Sequence, residues 1–387
     1  MAGSKIMITG LGNLGGLVLD QLVREPGCRE VVVLGRDFDR LALRSNLAML
    51  AAVHAGHDPV VTREECDFGD VDQVADLIAS HAPDVIFNAL SLQSWWVVMT
   101  LPRAAAGRLE AAHFGPWAPM HLTLTHLVMQ AVARSGLEPI VVNAAYPDVV
   151  NVVLSRAGLG PTVGIGNVAN PVPALRKAVA LTADVAVERI DVRLVAHHYV
   201  SHSLSRHGDG GGAPFHLRAL RDREDITDQL DMRAVLGLLP TRLKRSGGLA
   251  GMAVTAASAM TVLRAIVDDT DKVVHAPGPN GLAGGYPVRA NACGVRLALP
   301  AGLDPDAAIQ INEQAQRYEG IERIEPDGTI VFTEPHMDVM DETLGYRVQR
   351  MRLDESAECA AELADRFARF GSRARAPRPA RPTALRL

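Results

Sequence analysis

Aromatic residues make up only 4% of this 387-residue chain, cysteines number four, and the formal net charge is only −5. Each shortage removes a class of function. Cys28, Cys66, Cys293 and Cys359 are scattered without pairing or metal-ligand spacing. That excludes a disulfide scaffold, and reads as reduced thiols with no metal site. A small negative charge offers no surface for nucleic acid. No run of about 18 apolar residues goes without polar interruption, and the N-terminus leads straight into an apolar strand without a charged leader. A cytoplasmic protein that does not enter the membrane is expected. The most basic stretch is the end of the chain, 371–387, whose Pro, Arg and Ala content reads as a disordered tail rather than a binding arm.

Glycine, by contrast, is placed with purpose. The run Lys5-Ile6-Met7-Ile8-Thr9 enters Gly10-Leu11-Gly12-Asn13-Leu14-Gly15, and Leu14, Leu17, Val18, Leu22 and Val23 follow at helical spacing. Strand, glycine turn and helix in that order form a dinucleotide phosphate cradle. Gly10 permits the tight turn, Gly12 lets the backbone approach a pyrophosphate, and Gly15 lets the helix pack on the strand.

Short apolar runs at 5–9, 30–34, 84–89 and 139–143 read as parallel strands buried on both faces, with crossover helices at about 12–25, 38–55, 70–81 and 119–135. The fold class is α/β. A doubly wound, Rossmann-type sheet is expected over 1–168, followed by an α+β substrate domain with antiparallel strands over 169–370. Asn170-Pro171 is read as the cap and first turn of a helix near 171–187. Next come a strand 189–195, a glycine-rich surface loop at 206–212, an Ala-rich helix at about 248–268, and strands near 272–276, 286–290 and 293–299. An Asp327-Gly328 hairpin precedes a last strand at 329–332.

Ligands of such sheets sit at the carboxyl ends of the strands. The expected cofactor set is therefore Gly10, Gly12, Asn13, Leu14 and Gly15 at the turn, Arg36 and Asp37 after the second strand, and Asn88, Ala89 and Asn143 further along. The second strand ends Leu34-Gly35-Arg36-Asp37. Gly35 leaves room, Arg36 offers a fork to a 2′-phosphate, and Arg40 lies one helical turn on, so NADP is favoured over NAD. Asp37 serves NAD instead if it, and not Arg36, points at the ribose.

Several blocks in order resemble the lactate/malate dehydrogenase superfamily over about residues 5–300. They are the glycine motif, Val141-Val142-Asn143-Ala144-Ala145-Tyr146-Pro147-Asp148, Gly158-Leu159-Gly160-Pro161-Thr162-Val163-Gly164, the Ala-rich helix, and Gly284-Gly285-Tyr286-Pro287-Val288-Arg289. The resemblance implies a hydride-transferring enzyme for a small organic substrate, a homodimer or homotetramer paired through helices flanking the sheet, and a catalytic histidine. His198, in Ala196-His197-His198-Tyr199-Val200-Ser201-His202, falls where that histidine would, with Asn143 on the neighbouring strand end. His197, His202 or a purely structural histidine are the alternatives. The family orients its histidine with an Asp and holds the substrate carboxylate with an Arg three residues on. This chain has Asn167-Val168-Ala169-Asn170-Pro171-Val172-Pro173-Ala174-Leu175-Arg176 there. Asn170 cannot supply the charge, which argues against simple lactate or malate as substrate, and Arg176 is the remaining candidate for a substrate anion. Trp95-Trp96 reads either as core cover or as a platform for a larger substrate.

A second likeness, in Cys66-Asp67-Phe68-Gly69-Asp70 and His81-Ala82-Pro83-Asp84-Val85-Ile86-Phe87-Asn88-Ala89, is to short-chain dehydrogenases and saccharopine-type reductases. The short-chain mechanism needs Tyr with Lys four residues later. The five tyrosines have Val150, Ser203, Ala290, Glu322 and Arg350 at that offset, which excludes it. A saccharopine- or opine-like imine reductase and a non-catalytic NADP-binding sensor are the rival readings.

Overall fold

Thr9, Asn88 and Asn143 end three neighbouring strands in one register, and the sheet that aligns them positions everything else. The structure, a computed structural model, describes residues 3–375. Its first half runs β1 (Ser4–Thr9), α1 (Asn13–Leu22), β2 (Cys28–Gly35), α2 (Phe38–His54), β3 (Val60–Glu65), α3 (Val71–His81), β4 (Val85–Asn88), α4 (Arg103–Glu110), α5 (Ala118–Ser135), β5 (Ile140–Asn143), α6 (Pro147–Arg156) and β6 (Val163–Gly164). The six strands form one all-parallel sheet in the order β3-β2-β1-β4-β5-β6, with Thr9 opposite Asn88 and Asn88 opposite Asn143. This is the doubly wound arrangement expected.

The apolar strands are buried on both faces because alternate side chains serve different cores. Met7, Val32, Leu34, Ile86 and Val141 join one cluster with α3, α5 and residues 321–370. Ile6, Ile8, Val31, Val33, Phe87 and Val142 join another with α1, α2 and residues 256–311. β3 and β6 were not anticipated. The first is a charged edge strand, Val-Val-Thr-Arg-Glu-Glu, and the second is two residues long.

The second half continues α7 (Val172–Ala183), β7 (Ile190–Val195), α8 (His198–His207), β8 (His216–Arg221), β9 (Glu224–Asp225), α9 (Met232–Gly237), α10 (Gly248–Val267), β10 (Lys272–Pro277), β11 (Gly285–Asn291), β12 (Gly294–Leu297), α11 (Pro305–Ala315), β13 (Ile321–Ile324), β14 (Ile330–Phe332), α12 (Glu334–Leu344), β15 (Arg350–Met351) and α13 (Ser356–Arg375). Its strands make three small antiparallel sheets, β7-β8-β9, β10-β11-β12 and β13-β14-β15. An isolated bridge between Ala196 and Gly285 ties the first to the second just before the histidines.

Three local expectations are corrected. Asn170 does not cap α7: Pro171 holds that position, and the Asn170 amide donates to Thr255 Oγ1 at 3.3 Å. The loop read at 206–212 begins only at Gly208, because Val200 and Leu204, one turn apart and both buried, make 198–207 a helix. Residues 371–375, assigned to the tail, complete α13, and the rest of the tail lies outside the described residues. Helix α10 is long and apolar enough by length and composition to cross a membrane, with half of that window buried in the fold and Thr255, Ser258, Thr261 and Arg264 interrupting it.

Candidate functional site

The glycine turn behaves as its spacing dictates. Gly10 has φ +89°, a conformation that strains any L side chain, and a Cβ there would stand 2.7 Å from Leu90 Cδ2. A Cβ on Gly15 would stand 2.2 Å from the Gly10 carbonyl oxygen, so the closeness of helix and turn requires glycine. Gly12 differs. Nothing lies within 4 Å of a Cβ placed there, because that side of the backbone faces open space. The space is a groove of about 440 Å³ bordered by Gly10, Gly12, Arg36, Asp37, Arg40 and Leu90. A neighbouring depression is bordered by Gly12, Asn13, Arg40 and Arg44. Leu14 is half-buried, Gly15 is buried, and neither borders the groove, nor does the half-buried Ala89, whose N–H donates to the Thr9 carbonyl at 2.9 Å.

Charge at the groove is lopsided. Arg44 forks onto Asp20, but among the described residues neither Arg36 nor Arg40 has an ion-pair partner. Asp37, the one carboxylate on the border, caps α2 by accepting the Arg40 backbone N–H at 3.0 Å. The groove thus has the donors for a dinucleotide: a bare glycine turn at the N-terminus of α1 and two free guanidiniums.

Asn88 and Asn143, expected to face the ligand, do not. The Thr9 hydroxyl donates to Asn88 Oδ1 at 2.8 Å, and Asn88 Nδ2 donates to Thr125 Oγ1 at 3.1 Å and to Asn143 Oδ1 at 3.0 Å. Asn143 Oδ1 also accepts the Ala145 N–H, while its Nδ2 donates to the Ala145 carbonyl and to Asn151 Oδ1 at 2.9 Å. Asn151 passes the chain on to the Gly278 carbonyl. All three asparagines are fully buried and their amides are satisfied internally, so Asn143 is a corrected expectation for both catalysis and cofactor contact, and Asn88 for the latter.

Arg176 is also corrected. Its Nε donates to the Ile190 carbonyl at 2.8 Å and its Nη2 to the Val187 carbonyl, at the beginning of β7. His198 lies beyond the other end of that strand, roughly 20 Å along the chain.

At that other end the structure supplies what the sequence lacked. Glu319, 121 residues on, places Oε2 2.8 Å from His198 Nδ1 and 3.6 Å from His197 Nδ1, and its Oε1 accepts the Phe114 N–H at 3.3 Å. The His198 backbone N–H donates to Asp148 Oδ1 at 3.0 Å, which pins the start of α8. Burial pulls the His198 imidazole down, but the Glu319 charge and hydrogen bond outweigh it and lift the ring above its ordinary range. Burial likewise pushes the Glu319 carboxyl up, and the charge and hydrogen bond of His198, with His197 close by, hold it well below the usual carboxylate range. The result is a hydrogen-bonded histidine–carboxylate dyad.

The dyad lines a small cavity of about 120 Å³ together with Trp95, His113, Phe114, His202 and Arg206. His202 is a poor rival for proton transfer near neutrality, because burial, then the His198 charge, pushes it down to about 3. His197 is fully buried. Trp95 borders the cavity and packs edge-on against Phe114 and Trp117, each at 5.5 Å between centroids. Cationic capacity comes from elsewhere than anticipated. Arg206 has Glu110 at 3.7 Å, whereas half-buried Arg245 has no carboxylate partner among the described residues and leaves its buried Nε without a hydrogen bond. Burial, then the Arg206 charge, lowers its pKa.

No family model matches the sequence, and no curated protein does. Solved structures do. A lactate dehydrogenase from a Medee basin deep-sea metagenome library aligns over 82% of this chain and 97% of its own, at 15% identity and TM-score 0.53. The malate dehydrogenase of Salinibacter ruber covers 81% and 95% at 18% identity and TM-score 0.53. The lactate dehydrogenase of Cryptosporidium parvum, solved with lactic acid and nicotinamide adenine dinucleotide, covers 82% and 98% at 14% identity and TM-score 0.54. The chain has the lactate/malate dehydrogenase fold. Within that fold His198 opens α8, three residues beyond the end of β7, and its carboxylate partner comes from the turn after α11 rather than from the start of α7.

Proposed function

We propose that the protein is a nicotinamide-dinucleotide oxidoreductase that moves hydride to or from a carbonyl or hydroxyl carbon of a small organic substrate other than simple lactate or malate. The observation that carries this is the His198–Glu319 dyad at 2.8 Å in the cleft of a dehydrogenase fold. Gly10, Gly12 and Asn13 would hold the pyrophosphate, and Arg36 with Arg40 a 2′-phosphate, which makes NADP the cofactor. When bound, the cofactor supplies or accepts the hydride. His198, held by Glu319 through Nδ1, has Nε2 left for the substrate oxygen: protonated, it donates during reduction, and neutral, it accepts during oxidation. Glu319 fixes the ring and balances its charge, the part played by an aspartate in the family resembled. Arg206 on the cavity border and Arg245, whose charge acts on His198, replace Arg176 as the candidate cations, which suits a substrate carrying an anionic group. A panel of carbonyl and imine compounds supplied with NADPH tests the reading, and a protein that binds NADPH yet oxidises it with none of them is a sensor instead.

NADPH is expected to bind more tightly than NADH by about tenfold or more, the worth of a charge-assisted fork on phosphate. Arg36→Asp should erase or reverse that preference. Fluorescence titration of both cofactors gives the ratio, and an unchanged ratio assigns the preference elsewhere.

A homodimer or homotetramer is the further expectation. Leu43, Leu47, Leu50 and Val53 form one face of α2 at 68, 65, 63 and 57% exposure, an apolar stripe of the kind a second copy covers. Light scattering on the full chain should give a dimer or tetramer at micromolar concentration, and Leu47→Lys should shift it toward the monomer. A wild-type monomer across that range removes the oligomer.

A further inference from the structure

Behind the wall of the cleft lies a group of polar atoms with nothing to bond. His121 is 7% exposed and Tyr146 2%, yet both ring nitrogens of the one and the hydroxyl of the other lack hydrogen-bond partners. Buried polar groups are normally paired, and isolated ones are costly. Tyr146 is moreover held at φ +45°, a left-handed conformation unusual for a bulky residue. Strain and unpaired polar groups together are a signature of ligand sites.

The Phe114 side chain touches both of these residues and the cavity. The Phe114 ring borders the cleft and lies 5.3 Å from the His198 ring, 4.9 Å from His121 and 4.4 Å from Tyr146, centroid to centroid. The residue before it, His113, is itself left-handed at φ +51°. A swing of this side chain vacates the space of one six-membered ring, between Trp95 and Tyr146, and opens the cleft onto His121.

We propose that Phe114 is a plug over a binding site for an aryl carboxamide, a flat six-membered ring carrying an uncharged amide, whose hydrogen-bond partners are His121 and Tyr146. A neutral imidazole has one donor and one acceptor nitrogen, and a phenol can do both, which matches the N–H and C=O of an amide. His121 supplies no counter-charge to a carboxylate, since burial, then the His198 charge, pulls its imidazole down to about 3, and the His198 ring beyond Phe114 already has Glu319 as its carboxylate. The nicotinamide end of the cofactor and an aromatic amide substrate share this chemistry. Only the choice between those two sources rests on the dehydrogenase reading.

Nicotinamide and nicotinate, titrated into wild type, Phe114→Ala and the more conservative Phe114→Leu, test the site by calorimetry and by the ¹⁵N signals of the His121 ring. Nicotinamide should move the His121 signals in wild type and bind Phe114→Ala roughly tenfold more tightly, because the closed population no longer has to be opened. Nicotinate should do neither. Adding Tyr146→Phe to Phe114→Ala should cost about five- to tenfold, one neutral hydrogen bond. If NADP blocks nicotinamide, and its deamidated form binds more weakly than NADP, the cofactor supplies the amide; if benzamide still moves His121 under saturating NADP, the substrate does. Unmoved His121 signals throughout, or equal binding of nicotinamide and nicotinate, overturn the site. Dinucleotide binding with His121 unmoved leaves the dehydrogenase reading standing without the site, and amide binding without dinucleotide binding does the reverse.

Discussion

His198→Gln should lower turnover by about two to four orders of magnitude, the usual loss for a general acid–base, with dinucleotide affinity unchanged. Glu319→Gln is the more telling partner. It keeps the side-chain shape and removes the charge that, against burial, lifts the imidazole. Carbonyl reduction needs the protonated ring, so its kcat/KM should fall as pH rises through the raised His198 pKa, and alcohol oxidation should rise over the same interval. In Glu319→Gln both limbs should move to lower pH. The linked stability has a defined window. A raised histidine stabilises fully below its unfolded value of about 6.5 and loses this as pH passes its folded value. A depressed carboxylate stabilises above its unfolded value of about 4.3 and loses this as pH falls through its folded value. The dyad therefore stabilises most between those unfolded values, and Glu319→Gln should flatten thermal stability against pH on both sides. Unshifted limbs would make Glu319 structural only, and near-normal turnover in His198→Gln would hand the proton to Tyr199, which also borders the cleft.

Gly12→Val should abolish measurable dinucleotide binding in a protein that still folds. The backbone there, φ −76° and ψ −161°, is extended and open to any residue, and the added Cβ meets no protein atom. Its cost to the fold is that of a poor N-cap, about 1 kcal/mol. The same Val at Gly15 meets the Gly10 carbonyl oxygen at 2.2 Å and should lose the fold itself. Circular dichroism with cofactor fluorescence separates the two variants. Normal NADPH affinity in a folded Gly12→Val protein would remove the cradle.

The contrast between those two glycines was legible in the sequence, because turn, strand and helix are neighbours along the chain. So were four of the six strands of the sheet, β1, β2, β4 and β5, which are apolar on both faces. Glu319 was not legible. It lies in a single turn after α11 with no local pattern, and only the fold brings it to His198. Asn143 shows the opposite failure: position at a strand end named the residue, but position says nothing of whether an amide has bonds to spare. Arg176 failed likewise, since two carbonyls of its own neighbourhood claim the guanidinium. Helix α8 was missed because only Val200 and Leu204 mark its buried face among polar neighbours.

The asparagine chain through Thr9, Asn88, Asn143 and Asn151 has a meaning for anyone who would re-engineer this cleft. Each side chain is a hydrogen-bond partner of the next, so an apolar replacement at one link strands its neighbour's donor or acceptor in a dry interior. Such a set is exchanged whole or left alone. Libraries that vary Thr9, Asn88, Asn143 and Asn151 one position at a time should return inactive, poorly folded clones at all four.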